Sequence, residues 1–433
     1  MIESTTVGII MIPLMFLFLF MGLPVVFSIA LSAVVCLHLW GGVPMVLIFQ
    51  QFFQGVNSFT LLALPLFMLA GELMMRIGIV DDIVAFCDVV LGKLRGGLGY
   101  VNILANVFFA AISGSAVADM AAIGTLLVPK MEEQGYKKDF SLALTAAASV
   151  IGPIIPPSIL MVVYSSMMGV STGAMFVGGI IPGCLLGLGL MAYVYYVTKR
   201  DKLPRSENTY TIKSAAKVTL RTIPALTTPV IILGGIFSGK FSATESAAIA
   251  CVYAILLGLI FYRKVTLEML RSSFGIGIMN AAGILLIVAI AKPFSWLLAM
   301  SSFPQVMAGW LSAFGNNKIL ILLMVNIIGL ILGCLMESTA NVMIFAPIFA
   351  PIAIQAGVDP LHFAVIFVLN LTMGVATPPF GCCLFLGANM GNVPVSRLMK
   401  SVLPMIIVEI AVLLFCTYVP ATITMIPKLA GLI

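Results

Sequence analysis

Apolar positions in this chain fall into long runs broken by short polar punctuation, with neither the period of two of a strand nor the one-sided period of a surface helix. Runs long enough to cross the ~30 Å core of a bilayer lie near 7–40, 59–77, 139–168, 171–198, 222–238, 241–262, 273–300, 361–391 and 401–426. Two more, 97–131 and 319–355, are interrupted near the middle, by Ile112-Ser-Gly-Ser-Ala116 and by Met336-Glu-Ser-Thr-Ala-Asn341. These two are expected to be re-entrant hairpins that enter and leave on one side of a membrane.

Two of the spanning runs contain a segment that no helix passes through intact: Gly152-Pro-Ile-Ile-Pro-Pro-Ser158 and Gly374-Val-Ala-Thr-Pro-Pro-Phe-Gly381. Proline has no N–H, so Pro156 and Pro157 deprive the carbonyls of Gly152 and Pro153 of their helical partners. Pro378 and Pro379 do the same to Gly374 and Val375. An unpaired carbonyl in hydrocarbon costs several kcal/mol, so such a break survives only where it lines a polar cavity or is buried in protein. Bare carbonyls beside a helix start suit a cation, and the helix start itself suits an anion.

Composition places these elements. Of 433 residues 61% are hydrophobic and 9% charged, against about 25% charged in soluble domains. The fold class is therefore an all-α polytopic membrane protein whose surroundings are the lipid bilayer, with no separate soluble domain. The segment Met1-Ile-Glu-Ser-Thr-Thr lacks a basic n-region and a cleavage site, so the first run is expected to stay as a long first span. Eight cysteines are scattered apart from the pair Cys382-Cys383. With no CxxC or Cys/His cluster, neither zinc, a disulfide scaffold nor an organic cofactor is indicated.

The net charge of +6 reads as topology and not as nucleic-acid binding. A cytoplasmic N-terminus, nine crossings and two hairpins put nearly all of the 22 Lys and Arg residues inside. Outside lie Lys240, Lys318 and Lys428, and Lys292 falls within a span. That asymmetry is the positive-inside pattern. The C-terminus is then periplasmic, the first hairpin opens to the cytoplasm and the second to the outside.

The hydrophilic stretch 199–217 divides two similar halves. Ala63-Leu-Pro65 and Ala291-Lys-Pro293, the tips at Ser113 and Glu337, and the breaks at Gly152 and Gly374 are 222 to 228 residues apart. Two inverted repeats are expected, each with a hairpin followed by a broken helix, as in many secondary transporters. The moving parts would be 97–170 and 319–393, and the scaffold 1–96, 171–318 and 394–433.

Candidate chemistry gathers at the tips and breaks. Ser113, Ser115, Ser338, Thr339 and Asn341 offer hydroxyl and amide groups where a hairpin arm begins; they either cradle ions or cap short helices. One cation site would use carbonyls around Gly152 and Ile155 with Ser113 or Ser115. A second would use Gly374, the Thr377 carbonyl or hydroxyl, and Gly333, although these glycines equally suit close helix packing. Among ionisable residues in the membrane, which default to functional hypotheses, Glu337 is the first carboxylate candidate. Asp119 either joins it or anchors its hairpin, and Lys292 either neutralises a carboxylate or snorkels. Glu245, Glu409, His38 and His362 read as structural.

The stretches Gly114-Ser-Ala-Val-Ala-Asp-Met120, Gly135-Tyr-Lys-Lys and Ala147-Ala-Ser-Val-Ile-Gly-Pro-Ile-Ile-Pro-Pro-Ser158, with Phe241-Ser-Ala-Thr-Glu-Ser-Ala247 and the second break, carry a resemblance. Together they resemble the large membrane subunit of tripartite ATP-independent periplasmic (TRAP) transporters, over essentially the whole chain. The resemblance implies a sodium-driven importer of organic acids with an elevator motion, in a bacterial inner membrane. It implies a small four-helix membrane subunit, expected here as a separate chain, and a periplasmic substrate-binding protein. It places sodium where the hairpins meet the breaks, which adds Pro157 to the first site and Glu337 and Phe380 to the second. Sialic acid is the first substrate expectation and C4-dicarboxylates the next. The alternatives are a stand-alone sodium/carboxylate symporter and, from another class, an intramembrane serine hydrolase, which would need a base.

Overall fold

The computed structural model describes residues 3–41, 43–203, 205, 210–312 and 317–433. Their regular structure is helical. The chain opens with α1 (Ser4–Phe20), α2 (Val25–Trp40) and α3 (Val46–Val56). A 3₁₀ turn, Phe59–Leu62, then leads into α4 (Ala63–Ile77), and α5 (Ile79–Leu91) follows. Next come the hairpin of α6 (Gly97–Ser113) and α7 (Ala116–Glu133), the broken helix α8 (Lys138–Ser149) and α9 (Ile159–Met168), and the long α10 (Thr172–Asp201). The second half continues with α11 (Ile212–Phe237), α12 (Ala243–Leu256), α13 (Leu267–Met300) and α14 (Phe303–Ser312). It closes with the hairpin of α15 (Lys318–Leu335) and α16 (Ser338–Gln355), the broken helix α17 (Pro360–Met373) and α18 (Cys382–Gly391), then α19 (Val395–Tyr418) and α20 (Ala421–Leu429). The series α5 to α10 thus recurs in order as α14 to α19.

Eight of the described helices are long and apolar enough to cross a bilayer. Both interrupted runs form helix pairs joined at the small polar residues, and both proline segments split a helix in two. Two expectations change. The first run, 7–40, is not one long span: Gly22, at φ +89°, and Pro24, which stands as the N-cap of α2, turn the chain so that α2 lies back against α1. The apolar pattern hides this turn because its residues are themselves mostly apolar. In the same way the last run is divided before Pro420, and α20 folds against α10 and α17.

Packing sorts the helices into two groups. In one, α13 lies on α2, α3 and α4, and α12 on α4 and α11. In the other, both hairpins and both broken helices pack together, and α10 and α19 belong with them. Helix α10 lies on α6, α8, α9 and α17, and α19 lies on α8, α17 and α18. Two helices within 171–318 and 394–433, α10 and α19, thus pack with the hairpins and broken helices. The physical reason is small residues: a Cβ on Gly179 would strike the Ile154 carbonyl, and one on Gly183 the Ile155 side chain. Glycine lets α10 lie directly on the first break. The two groups meet along a seam where α13 faces α16, and α4 faces α6 and α9.

Buried amides tie the second group internally. Asn102 donates to Thr145 Oγ1 at 2.7 Å between α6 and α8. In the second half Asn370 donates to the Asn326 carbonyl (2.9 Å) and Oδ1 (3.0 Å), and Asn326 to Thr417 Oγ1 (2.9 Å). His362 also bonds within the bundle, with Nε2 3.0 Å from the Cys416 carbonyl, while its Nδ1 has no partner among the described residues. Glu245 completes a capping box with Ser242 at the start of α12. Interhelical hydrogen bonds of this kind are worth about 0.6 kcal/mol on average in membranes, up to about 1.7. Asn370→Ala is expected to lower the stability of the detergent-solubilised protein by about 1 kcal/mol. Thermal denaturation checks this, and an unchanged melting temperature would remove the amide chain from the stabilising interactions.

Candidate functional site

At the first tip α6 ends on Ser113, and Gly114 takes φ +61° to turn the chain. This glycine is required twice over, because a Cβ there would also strike the Pro157 carbonyl of the first break. Ser115, in extended conformation, caps α7 through a loose bond from Ala118 N at 3.5 Å. The Ser113 hydroxyl donates to Asp119 Oδ1 in a short hydrogen bond, and Ser115 N donates to Ser113 Oγ at 3.2 Å. Asp119 is fully buried. Its second oxygen lies where a Cβ of Gly152 would stand and has no partner among the described residues. The hairpin is thus anchored by Asp119, and the anchor keeps one carboxylate oxygen open beside the break.

The break itself is tighter than a simple loss of two bonds. Val150, Ile151 and Gly152 donate to carbonyls three residues back, and Ile154 and Ile155 both donate to Ile151 at 3.0 Å. The Ser158 hydroxyl takes the Pro153 carbonyl in a short bond, and its oxygen accepts from Met161 N at 3.2 Å, capping α9. Of the two carbonyls expected to be bare, only that of Gly152 has no partner among the described residues. Ser158 accounts for the difference.

The second break behaves alike with other groups. Thr377 N donates to the Gly374 carbonyl at 3.1 Å, the Thr377 hydroxyl to Met373 at 2.6 Å, and Gly381 N to the Thr377 carbonyl at 3.1 Å. Val375 keeps the carbonyl with no partner among the described residues. Both breaks contain a cis bond, Pro156-Pro157 and Pro378-Pro379. Gly374 lies backbone to backbone against Gly333 at the end of α15, so that a Cβ on Gly374 would enter the main chain of Gly333, and one on Gly333 would press on the Leu371 carbonyl and Gly374 Cα.

The second tip is built differently from the first. Glu337 is the N-cap of α16: Oε2 accepts from Thr339 N (2.9 Å) and Ala340 N (3.1 Å), and Oε1 from the Thr339 hydroxyl (2.8 Å). Asn341 donates to the carbonyls of Leu332 (2.9 Å) and Met336 (3.1 Å), which closes the end of α15. Ser338 donates to the Leu371 carbonyl at 3.1 Å and so ties the tip to the broken helix. Capping, the plainer of the two roles for tip residues, is real at Ser115 and Glu337.

Between the tips is a cavity of about 110 Å³ that receives Ser115 from the first and Glu337, Ser338 and Thr339 from the second. The other packing group contributes Met68 on α4 and Ile284 on α13, and no Lys, Arg or His lines the cavity. Three of the five residues expected to meet substrate are here; Ser113 and Asn341 instead brace their tips. Of the residues expected around cations, Ser113, Gly152 and Pro157 come together at the first tip, and Gly333, Gly374 and Thr377 at the second. The Ile155 side chain packs into the space left by Gly183, and Phe380 is 58% exposed. Sequence reasoning missed Ser158 as a carbonyl partner and Cys382 as a lining residue. It also missed Met68 and Ile284, whose apolar types carry no signal within apolar helices.

Residues 12–422 match the family described as tripartite ATP-independent periplasmic transporter, DctM component. The chain is 37% identical over 414 residues to a sialic acid TRAP transporter large permease protein of Vibrio cholerae, covering 95% of this chain and 96% of that one. It is 39% identical over 409 residues to an isethionate TRAP transporter permease protein of Oleidesulfovibrio alaskensis, covering 94% of this chain and 64% of that one. Among solved structures the YdaH transporter of Alcanivorax borkumensis shares the fold, with a TM-score of 0.63, 14% identity and 86% of each chain covered. This chain belongs to the DctM component family of the tripartite ATP-independent periplasmic transporters. It is a multi-pass membrane transport subunit and not an enzyme, which closes the hydrolase alternative.

The Gly333–Gly374 contact tests whether the second hairpin must seat on its break. Gly374→Ala is expected to cut transport about tenfold or more, since overpacking of this kind costs about 1–3 kcal/mol. Initial uptake rates, normalised to protein inserted in the membrane, check this. Full activity would show that the seat is not needed.

Proposed function

We propose that this chain is the sodium-driven importing subunit for an organic anion delivered by a periplasmic binding protein, working with a small membrane subunit of four helices on a separate chain. The observation that supports this most is the cavity between two hairpin tips on the seam with helices of another packing group. A site shared in this way changes its surroundings when one group slides past the other. The moving body is α6 to α10 with α15 to α20, and Met68 and Ile284 stay behind on the fixed helices. The repeats are inverted in the membrane, as the distribution of basic residues requires.

Sodium is a hard monovalent ion, and oxygen ligands suit it. At the first break these are the Gly152 carbonyl, the open Asp119 oxygen and Ser113, with Ser115, Ile155 and Pro157 around them. At the second they are the Val375 carbonyl, Thr377, Gly333 and Gly374, with Glu337 and Phe380 nearby. An ion at either place stiffens a tip, and the stiffened tips bind the anion. Because linkage is reciprocal, sodium raises substrate affinity by the same factor as substrate raises sodium affinity. The start of α7 beside Ser115 is where the anionic group is received, since Glu337 already holds the first N–H groups of α16.

Sialic acid is the first substrate proposed, followed by C4-dicarboxylates and other organic anions. The two-helix start of the chain bears on orientation. With the basic residues kept on the cytoplasmic side, an α1–α2 hairpin puts the N-terminus at the periplasmic face, opposite to a single first span, and leaves the C-terminus periplasmic.

Reconstitution in liposomes with a small subunit and a binding protein tests the reading through uptake of labelled sialic acid. Uptake is expected to require both an inward sodium gradient and the binding protein. Uptake with sodium alone would favour a stand-alone symporter, and uptake indifferent to sodium would overturn the coupling proposal.

A further inference from the structure

Lys292 is the one basic residue placed inside a span, and its surroundings do not explain it. It lies on α13, a fixed helix, and its side chain is half-buried. Gly55 of α3 packs against its stem, where a Cβ would come within 2.9 Å of the lysine Cβ. Lys292 lines a small cavity of about 50 Å³ together with Gln54 and Ser58 on the fixed side and Ser166 on α9 of the moving side. Ser58 and Ser166 share a hydrogen bond of 2.9 Å across the seam. No acidic residue lines this cavity, and among the described residues Lys292 has neither an ion pair nor a hydrogen bond. A cation in this position is costly, and such residues mark substrate or ion paths.

Its place on the seam gives the direction. The tip cavity touches Ile284 on α13 and Leu160 on α9. The second cavity touches Val288 and Lys292 on α13, and Val163 and Ser166 on α9. The same two helices line both, and from Ile284 to Lys292 the rise is ~12 Å, about two turns. With α13 running outward, Lys292 stands on the outer half, between the tip cavity and the periplasmic mouth.

We propose that Lys292, with Ser58, Ser166 and Gln54, is an entry subsite that holds the anionic group of the transported organic acid on its way from the outer face to the tip cavity. The inference rests on the organic-anion reading above. The ammonium supplies the charge that the tip cavity lacks, and the serine hydroxyls and the Gln54 amide N–H donate to the oxygens of the anionic group. About 50 Å³ suits a carboxylate group and not a whole organic acid, given that one water in liquid occupies about 30 Å³. Lys292 is fixed while Ser166 moves, so the subsite is dismantled as the moving group descends.

The test uses the reconstituted complex of large subunit, small subunit and binding protein, with labelled sialic acid and, if that is not carried, succinate. Initial rates are measured against the concentration of loaded binding protein for wild type, Lys292→Gln and Lys292→Arg. Lys292→Gln is expected to raise KM about tenfold, the scale of one charge-assisted hydrogen bond, with kcat within about twofold. Lys292→Arg is expected to restore most of the loss. Melting of the purified variants guards against misfolding. An unchanged KM in Lys292→Gln, or a fall in kcat alone with a lower melting temperature, would make Lys292 a structural residue and overturn the proposal. A wild-type complex that carries neither anion on a sodium gradient would instead overturn the reading on which it rests.

Discussion

Hydrocarbon offers a broken helix nothing to bond to, and the architecture around residues 150–158 and 374–381 answers that constraint. Each break satisfies part of its own backbone, through the Ser158 hydroxyl in one case and Thr377 N in the other. Each also leaves one carbonyl, on Gly152 or Val375, without a partner among the described residues. The tips, the glycine contacts that seat them and the flanking helices are arranged around those carbonyls. A fully helical α8–α9 or α17–α18 would be cheaper in the membrane and would leave no carbonyl unpaired.

The two halves meet this constraint with different chemistry despite their matching order. The first tip is braced by a buried acid, Asp119, behind Ser113, and leaves the start of α7 loosely capped. The second puts its acid, Glu337, at the front, where it caps α16 tightly and faces the cavity. One tip therefore presents donors and the other a carboxylate with hydroxyls, so the cavity between them is polarised.

Much of this was legible in the chain. Hydrocarbon imposes length, so the spans show as apolar runs; proline and small polar residues are costly there, so the breaks and tips show as punctuation. What stayed hidden follows from the same physics. A turn such as that at Gly22 and Pro24, made mostly of apolar residues, leaves no polar mark, so two helices read as one span. Which helices pack together depends on Gly179 and Gly183 facing the Ile154–Ile155 turn, and a glycine in an apolar run does not say what it faces. The roles of Ser158 and Asn341 were beyond reach because a hydroxyl or amide bonding a carbonyl of its own neighbourhood looks, in sequence, like one awaiting a ligand.

Gly333 and Gly374 touch main chain to main chain, and that contact has an evolutionary corollary. A joint made only of backbone carries no side chain to tune, so it is inherited whole or lost. Side chains can vary only beside such a joint, and the cavity next to it has two apolar ones, Met68 on α4 and Ile284 on α13, that take no part in the contact.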